Sequence, residues 1–287
     1  IDNSDSLTAF EPEEIRPPER YADSNKGSYG KILLVVGSKE ICGAAILSAK
    51  AALKCGAGMV RVFTHEVNRT AVITAIPEAL VSVYSSDISE EELKVKLDEA
   101  LSWSTSLVIG CGLGTGGLSA SILKTVILSE KVPKTVVFDA DALNLIARDD
   151  ELLYMGIFNK REGRRLIFTP HVGEMSTLTG KSIAEIKADS INTAKIYSRQ
   201  HNVVLCLKDA RTVTALSKGR SAVINLNGNN GMATAGSGDV LSGIIGAVGD
   251  AALGAALHGA AGDIARDTYG EHAMTAADII EAIGKIR

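Results

Sequence analysis

Aromatic residues, proline and concentrated charge are all scarce in this 287-residue sequence. Aromatic side chains make up 4% of the chain, so the core is predicted to consist of aliphatic residues and alanine. The net charge of −4 and the lack of a sustained basic run argue against a nucleic acid as the main partner. No apolar run reaches the roughly 20 residues that cross a bilayer, and residues 1–4 do not resemble a signal peptide. We therefore expect a cytoplasmic protein with no nucleic-acid or membrane partner.

The four cysteines form no recognisable metal or redox motif. Cys42, Cys55, Cys111 and Cys206 have no Cys-x-x-Cys spacing and lie in apolar surroundings. This pattern indicates small buried side chains in a reducing compartment. The five histidines are also dispersed, so a structural zinc site is not expected.

Strand-like and helix-like segments alternate over the first 200 residues. Short apolar runs, typical of strands buried on both faces, begin at Ile32, Met59, Ala79, Ser106, Thr135, Leu166 and Val203. Between them lie segments with helical character, at 43–58, 66–75, 89–101, 118–129, 171–178 and 182–200. The alternation predicts an α/β fold with a mostly parallel, doubly wound sheet flanked by helices.

The rest of the chain fits the same domain. Residues 211–216 and 221–226 are predicted to form a hairpin, and the segment after 239 is predicted to be helical. Residues 1–25 look like a polar N-terminal arm, either irregular or a short helix on the surface. Because no linker or repeat interrupts the pattern, we expect a single domain over residues 1–287.

The glycine-rich stretch at residues 227–246 is the strongest local signal in the sequence. Gly228, Gly231, Gly236 and Gly238 are expected to take positive φ and let the backbone approach a ligand. Helical spacing then begins, so the loop ends at a helix N-terminus, whose free amides and dipole attract anions. The segment Gly236, Ser237 and Gly238 is therefore a predicted phosphate-binding anion hole.

Asp239, in the first turn of that helix, is the predicted catalytic residue. A carboxylate beside phosphate-binding amides can take a proton from an attacking hydroxyl while the amides stabilise the transferred phosphoryl group. A helix-capping acid is the alternative interpretation of Asp239.

Polar or glycine-rich tails follow the predicted strands, and ligands gather at the carboxyl ends of such strands. These tails are residues 110–114, 139–141, 169–174, 208–212 and 227–239. Asp139 and Asp141 belong to one of them, although helix capping explains Asp141 equally well. The Gly-x-Gly-x-Gly segment at 110–114 has neither a dinucleotide-binding nor a Walker spacing.

Four other polar residues in these tails have two open interpretations each. Lys208 either pairs with a phosphate or ends a strand in solvent, and Thr212 either contacts a nucleotide or belongs to the hairpin. His171 is either a ligand contact or structural. Glu174 either holds a metal-bound water or complements the first turn of a helix.

From about Lys26 onward the chain resembles the ADP/ATP-dependent NAD(P)H-hydrate dehydratases, which have a ribokinase-like fold. The matching segments are Lys26-Gly27-x-Tyr29-Gly30, Gly43-Ala44, Gly110-x-Gly112-Leu113-Gly114, Asp139-Ala140-Asp141-Ala142-Leu143, Thr169-Pro170-His171-x-Gly173-Glu174, and Gly228-Asn229-x-Gly231-Met232-Ala233-Thr234-x-Gly236-Ser237-Gly238-Asp239. The last two segments are quite specific together, whereas the ending Gly236-Ser237-Gly238-Asp239 alone would indicate only the broader ribokinase-like kinases.

The resemblance implies repair of the hydrated cofactors (6S)-NADHX and (6S)-NADPHX. The ring hydroxyl would be phosphorylated from ADP with Mg²⁺ present, and loss of phosphate would restore NADH or NADPH and leave AMP. The Pro-His-x-Gly-Glu form favours ADP over ATP. Relatives commonly assemble, so the resemblance also implies a homo-oligomer such as a tetramer. The epimerase domain fused to some relatives is not seen, so action on one epimer is expected.

The resemblance also assigns roles to individual residues. Ala44, Gly112 and His171 would contact the hydrated dinucleotide, with Asp239 facing its hydroxyl and Glu174 near the metal. The adenine nucleotide would be held by Lys208, Asp209, Ala210, Arg211, Thr212 and Gly238.

Three positions depart from the family pattern. Asp209 follows Lys208 where glycine is usual, which adds a negative charge beside a phosphate site unless Asp209 points away or meets a cation such as Arg211. Asn230 and Ala235 replace a usual proline and glycine. Two alternatives stay open: another ribokinase-like kinase acting on a thiamine precursor or a sugar, and a nucleotide-binding regulator without catalysis, supported only by Asp209.

Overall fold

A computed structural model of the protein describes residues 6–149, 151–152, 163–216, 218 and 220–286. The strands in these ranges are β1 (Ser6–Thr8), β2 (Lys31–Val35), β3 (Met59–His65), β4 (Leu80–Tyr84), β5 (Ser106–Ile109), β6 (Thr135–Phe138), β7 (Arg165–Phe168), β8 (Val204–Leu207), β9 (Val213–Ala215) and β10 (Ser221–Ile224). The helices are α1 (Gly43–Lys54), α2 (Arg69–Ala75), α3 (Glu90–Trp103), α4 (Gly117–Leu128), α5 (Asp141–Arg148), α6 (Val172–Thr179), α7 (Ile183–Ala188), α8 (Ser190–His201), α9 (Ser237–Val248), α10 (Ala251–Tyr269) and α11 (Ala276–Ile283).

The strands form one sheet in the order β1-β10-β9-β8-β7-β6-β5-β2-β3-β4. From β8 to β4 every neighbouring pair is parallel, whereas β9 runs antiparallel to both β8 and β10. The antiparallel pairing of β9 with β10 confirms the predicted hairpin, although residues 217 and 219 of its turn lie outside the described part of the chain. The mostly parallel α/β sheet flanked by helices is therefore confirmed.

Alternate residues of β2 face two different cores, which explains why its sequence shows no polar face. Leu33 and Val35 pack with α3, α4 and α5 on one side of the sheet. Ile32 and Leu34 pack on the other side, where α1, α9 and α10 lie. A strand covered by helices on both faces must be apolar throughout. As predicted, Cys55, Cys111 and Cys206 are buried and form no disulfide, whereas the prediction was wrong for Cys42, which is only partly buried because it lies just before the first turn of α1.

Two predictions about local structure were wrong. The helix predicted over 182–200 is divided into α7 and α8 at Asp189, whose carboxylate accepts a hydrogen bond from the amide of Asn192 and so caps α8. The polar N-terminal arm contains β1, which pairs in parallel with β10 and joins Ser6 to Ser221 through their hydroxyls. Residues 1–5 of the arm lie outside the described ranges. Among the helices described, none combines the length and the hydropathy needed to cross a membrane.

Helix α9 reaches its place on one face of the sheet by packing closely on α1. A Cβ atom added to Gly243 would overlap the carbonyl oxygen of Ser48 and lie 3.0 Å from the Cβ of Ala51. The two backbones can approach this closely only because Gly243 has no side chain.

We predict that Gly243→Ala lowers the free energy of unfolding by about 2 kcal/mol, because overpacking outweighs the higher helix propensity of alanine. Urea unfolding measures this change. Gly117→Ala is the matched control: Gly117 begins α4 and has open space at its Cβ position, so the change should be neutral or stabilising by roughly 0.5 kcal/mol. An unchanged urea midpoint in Gly243→Ala would refute the close contact.

Candidate active site

The carboxyl ends of β5, β6 and β8 meet α9 around the side chain of Asp139. Lys208 Nζ, just after β8, donates to Asp139 Oδ1 at 2.6 Å. Ser242 Oγ, on α9, donates to Asp139 Oδ2 at 2.6 Å, and Cys111 Sγ lies 3.7 Å from the same oxygen. The predicted convergence of strand ends is therefore confirmed for the tails that contain Cys111, Asp139 and Lys208.

Asp139 and Lys208 are both held in their charged forms. Burial leaves Asp139 2% exposed and on its own would raise its pKa, but the ammonium of Lys208 and hydrogen bonds from Lys208, Ser242 and Thr169 lower that pKa below its ordinary value. Burial would lower the pKa of Lys208, yet Asp139 and Glu174 raise it above its usual range. Lys208 Nζ lies 3.9 Å from Glu174 Oε2, so its charge is shared between two carboxylates.

The turn that carries Asp139 also holds the glycine loop at 110–114. Ala140 has φ 49° and ψ −118°, a strained conformation for a residue with a side chain. Asp141 begins α5, and its Oδ2 accepts a hydrogen bond from the amide of Gly114 at 2.7 Å. Asp141 therefore fixes the loop after β5. This role differs from both interpretations of Asp141 from the sequence, which were helix capping and a direct function in the site.

Two predicted substrate contacts, Ala44 and Gly112, are direct neighbours. Gly112 has φ +60°, and a Cβ added to it would lie 2.9 Å from the Cβ of Ala44. The same Cβ would lie 2.7 Å from Ile41, whose side chain is exposed beside them. The start of α1 and the loop after β5 thus pack directly against each other, which leaves Ala44 only 5% exposed.

Asp239 is a partly buried carboxylate with a raised pKa. Burial and then the charge of Asp139 raise its pKa to about 6, against a hydrogen bond from Cys111 and the charge of Lys208, which lower it. The N-cap residue of α9 is Gly236, and Asp239 is the third residue of the helix. Asp239 therefore does not occupy the N-cap position. A carboxylate with this pKa is mostly ionised at neutral pH and is a stronger base than an ordinary aspartate.

The glycines of the loop before α9 serve two different purposes. Gly228 and Gly236 have positive φ, at 109° and 88°. Gly231 and Gly238 do not, so the prediction of positive φ was wrong for them. A Cβ at Gly231 would overlap Met274 and the carbonyl oxygen of Glu271, which shows that close packing is the reason for glycine there.

His171 and Glu174 form a capping box at the start of α6. His171 Nδ1 accepts hydrogen bonds from the amides of Gly173 and Glu174, and Glu174 Oε2 accepts one from the amide of His171 at 2.8 Å. The His171 side chain is 58% exposed, whereas that of Glu174 is buried next to Lys208. His171 pairs in parallel with Lys208 through the backbone, which places its imidazole at the rim of the site.

The described residues contain no group of three or more His, Cys, Asp or Glu side chains that could enclose a metal ion. Glu174 is a single carboxylate that already accepts the amide of His171. This donor set fits Mg²⁺ only when phosphate oxygens and water supply most of its ligands, which is the usual arrangement for this ion.

The predicted nucleotide loop, residues 208–212, joins β8 to β9. Asp209 Oδ1 lies 3.9 Å from Lys187 Nζ, so its nearest cation is on α7 and is not Arg211, the partner considered from the sequence. Arg211 instead donates to the carbonyl oxygen of Ala210, and the Thr212 hydroxyl donates to that of Asp209. Asp209, Ala210 and Arg211 are exposed.

Three residues of the site were missed from the sequence. Ser242 follows Asp239 by three positions, so helical spacing could have placed both on one face of α9. Cys111 was treated only as a buried apolar residue, although its place in the tail after β5 was a signal. His258, whose Nε2 lies 3.2 Å from Ser237 Oγ, had no local signal at all.

We predict that Asp139→Asn lowers the free energy of unfolding by about 3 kcal/mol at neutral pH, because it leaves Lys208 without its main partner. The lowered pKa of Asp139 gives stability above the unfolded-state pKa of about 4, so the difference should shrink as the pH falls below that value. Urea titrations at several pH values measure both effects. In the control, Glu281→Gln removes an exposed pair with Lys54 and should cost less than about 1 kcal/mol. Equal losses in the two variants would contradict the prediction.

Comparison with known proteins places these residues in a family. Residues 32–285 match the family model for NAD(P)H-hydrate dehydratase. The bifunctional NAD(P)H-hydrate repair enzyme Nnr of Moorella thermoacetica is 40% identical over 280 residues, which cover 92% of this chain and 50% of that protein. The ADP-dependent (S)-NAD(P)H-hydrate dehydratase of Neisseria meningitidis is 36% identical over 260 residues, covering 88% of this chain and 82% of that protein.

The chain spans about half the length of several of the curated relatives it matches. The crystal structure of ADP/ATP-dependent NAD(P)H-hydrate dehydratase from Bacillus subtilis, co-crystallised with ATP and Mg²⁺, superposes with a TM-score of 0.80 at 27% identity and covers 97% of each chain. The ribokinase-like fold expected from the sequence is thereby confirmed. The chain belongs to the NAD(P)H-hydrate dehydratase family.

Proposed function

We propose that the chain dehydrates (6S)-NADHX and (6S)-NADPHX back to NADH and NADPH at the expense of ADP. The observation that carries this proposal is the pairing of Asp239, with its pKa raised to about 6, with the amides that begin α9. A base next to an anion-binding helix terminus is suited to phosphoryl transfer onto a hydroxyl. Membership of the family and the printed name of the Neisseria relative support ADP as the phosphoryl donor.

The proposed reaction has two stages. The ring hydroxyl of the hydrate attacks the β-phosphorus of ADP while Asp239 takes the hydroxyl proton, a new O–P bond forms, and AMP leaves as the bridging P–O bond breaks. The amides of Gly236 and Gly238 would donate to the phosphoryl oxygens where negative charge gathers. The Ser237 amide donates to the carbonyl oxygen of Thr234 at 3.3 Å and would have to exchange this partner for the phosphate. The phosphate then leaves with the electrons of its C–O bond, a ring proton is lost to water, and the double bond of the dihydropyridine is restored.

Lys208 brings positive charge to the place where phosphate would lie. A Cβ at Gly238 would be 3.6 Å from Lys208 Nζ, so the ammonium is directly beside the start of α9. Asp139 holds this ammonium in place, and the donors that Asp139 leaves free would face the nucleotide. We place the rest of the adenine nucleotide along Asp209, Ala210, Arg211 and Thr212.

The hydrated dinucleotide is proposed to lie across Ala44 and Gly112, with His171 at its edge. Gly112 has no side chain and Ala44 is only 5% exposed, so the ring would lie mainly against the backbone of Gly112, and Asp239 would face the ring hydroxyl. Nδ1 of His171 accepts from two amides of α6 and its Nε2 lies 3.2 Å from Glu174 Oε1, so the exposed face of the imidazole is the part proposed to contact the dinucleotide.

Mg²⁺, when bound, would neutralise charge on the transferred phosphate oxygens. Glu174 is the residue proposed to contact the water shell of the ion, in line with the few protein ligands available there.

We further propose one catalytic domain, a cytoplasmic location suited to the unpaired buried cysteines, and a homo-oligomer such as a tetramer. Asp209, which supports the regulator alternative, lies 3.9 Å from Lys187, and this cation offsets part of its negative charge.

The direct test is to mix the purified protein with NADHX, ADP and Mg²⁺ and to follow the absorbance of the restored dihydropyridine. We expect NADH, AMP and phosphate in equal amounts, with ATP a poorer donor. Because Asp239 must be ionised, kcat/KM should rise with pH up to about 6 and then level off. Phosphate transfer to a thiamine precursor or a sugar, with no NADH formed, would favour the kinase alternative. Nucleotide binding with no turnover of any acceptor would favour the regulator.

We predict that Asp239→Asn abolishes turnover, leaves nucleotide binding intact and makes the protein more stable. The folded-state pKa of Asp239 is raised, so its ionisation costs stability as the pH rises from about 4 to about 6. The asparagine variant avoids this cost and should gain roughly 1–2 kcal/mol at neutral pH, a figure reduced for partial exposure. Steady-state kinetics, nucleotide titration and urea unfolding give the three readouts.

Asp278→Asn is the matched control, because Asp278 is also the third residue of a helix, α11, but accepts the Thr275 amide in a capping box. This control should lose about 1 kcal/mol of stability and keep its turnover. If Asp239→Asn behaves like Asp278→Asn, with stability lost and chemistry retained, Asp239 is only a helix-terminal acid.

A further inference from the structure

One face of α10 lies directly against the glycine-rich loop that precedes α9. The residues that make the contact are His258, Gly259, Gly262 and Asp263, which helical spacing places on the same side of α10. None of them belongs to the strand ends or to the residues placed against nucleotide or hydrate above.

Asp263 binds the beginning of the loop through both carboxylate oxygens. Its Oδ2 accepts a hydrogen bond from the amide of Gly228 at 2.8 Å, and its Oδ1 accepts one from Asn229 Nδ2 at 3.1 Å. Asn229 Nδ2 also donates to the carbonyl oxygen of Gly262, and Asn229 Oδ1 accepts from the amide of Gly231. The backbone of Gly228 and the side chain of Asn229 are therefore both hydrogen-bonded to α10.

The two glycines of this face let the loop rest on the helix backbone. A Cβ at Gly259 would lie 2.8 Å from the carbonyl oxygen of Asn227, and a Cβ at Gly262 would overlap the sulfur of Met232. These contacts leave no room for the loop to approach α10 further. Asp263 in turn prevents the loop from moving away.

His258 fixes the other end of the same loop. It is buried, and its Nε2 lies 3.2 Å from the hydroxyl of Ser237, the first residue of α9. Burial and then the charge of Lys208 lower the pKa of His258 to about 4, so the ring is neutral at physiological pH. A neutral ring can fix the hydroxyl without adding charge next to the anion site.

We propose that Asp263 is a positioning residue for phosphoryl transfer, which sets the place of the amides at 236–238 by holding Gly228 and Asn229 against α10. This inference rests on the proposed function. The amides contribute most when negative charge gathers on the transferred phosphoryl group, whereas the nucleotide is held in the ground state by residues 208–212. Loss of the anchor should therefore lower kcat much more than it raises KM.

The test compares Asp263→Asn with Asp267→Asn. Both aspartates lie on α10 and both bind Arg266, but Asp267 is paired with Arg266 away from the loop. Asp263→Asn keeps one acceptor oxygen but places an NH₂ group opposite one of the two loop donors, the amide of Gly228 or Nδ2 of Asn229, so one of these hydrogen bonds is lost. We expect kcat to fall about ten- to a hundredfold with KM for ADP within about threefold, and no comparable change in Asp267→Asn.

A double-mutant cycle with Asn229→Ala tests whether Asp263 acts through the loop. If it does, the double variant should lose about as much kcat as the more damaging single variant. Independent losses that multiply would overturn the proposal, as would an unchanged kcat in Asp263→Asn.

Hydrogen exchange of the ligand-free protein provides a readout that does not depend on turnover. In Asp263→Asn the amides at 228–238 should exchange about tenfold faster, while those of β5 and β8 keep their protection. Faster exchange throughout the chain would mean general destabilisation and would overturn the positioning role. If wild-type protein fails to restore NADH while the local exchange effect appears, the proposed reaction fails but the anchor stands. If NADH forms and exchange at 228–238 is unchanged, the anchor fails alone.

Discussion

The carboxylate of Asp139 is the group on which the geometry of the site depends. It is the common partner of Lys208, Ser242 and Cys111, and these residues come from three separate segments: the loop after β8, helix α9 and the loop after β5. A buried carboxylate that lost one of these partners would be expensive to keep charged. The end of the sheet and the N-terminus of α9 are therefore held at a fixed separation by one charged group.

The same ion pair also tunes the proposed base. The charge of Asp139 raises the pKa of Asp239 and the charge of Lys208 lowers it, so the net effect depends on how closely the pair is held. Burial supplies the largest part of the shift. With a pKa of about 6 the carboxylate is a stronger base than an ordinary aspartate and is still mostly ionised at neutral pH. The pair thus joins structural support and chemistry in one interaction.

The sequence was a good guide to the strands from β2 to β8 because their apolar runs follow from burial on both faces. It failed at β1, since three residues of Ser-Leu-Thr carry no periodicity, and at Asp189, where a single capping side chain ends one helix and begins another. Asp239 could be singled out as a candidate base because its local motif also contains the proposed anion site. Ser242 could not be paired with Asp139 across 103 positions, since that contact exists only after the sheet and α9 have packed together.

The glycines are a second case in which contacts between distant segments could not be predicted from the sequence. From the sequence, all four glycines at 228–238 indicated unusual backbone conformations, yet Gly231 is required by the packing of Met274 and Glu271. Gly243, Gly259 and Gly262 have the same kind of role at helix contacts. A glycine-rich loop is flexible when isolated, and the proposed chemistry needs its amides at fixed positions. The rigidity has to come from outside the loop. Gly259 and Gly262 of α10 lie against Asn227 and Met232, and a Cβ at Gly236 would overlap Leu47 of α1 and lie 3.3 Å from Ala276 of α11.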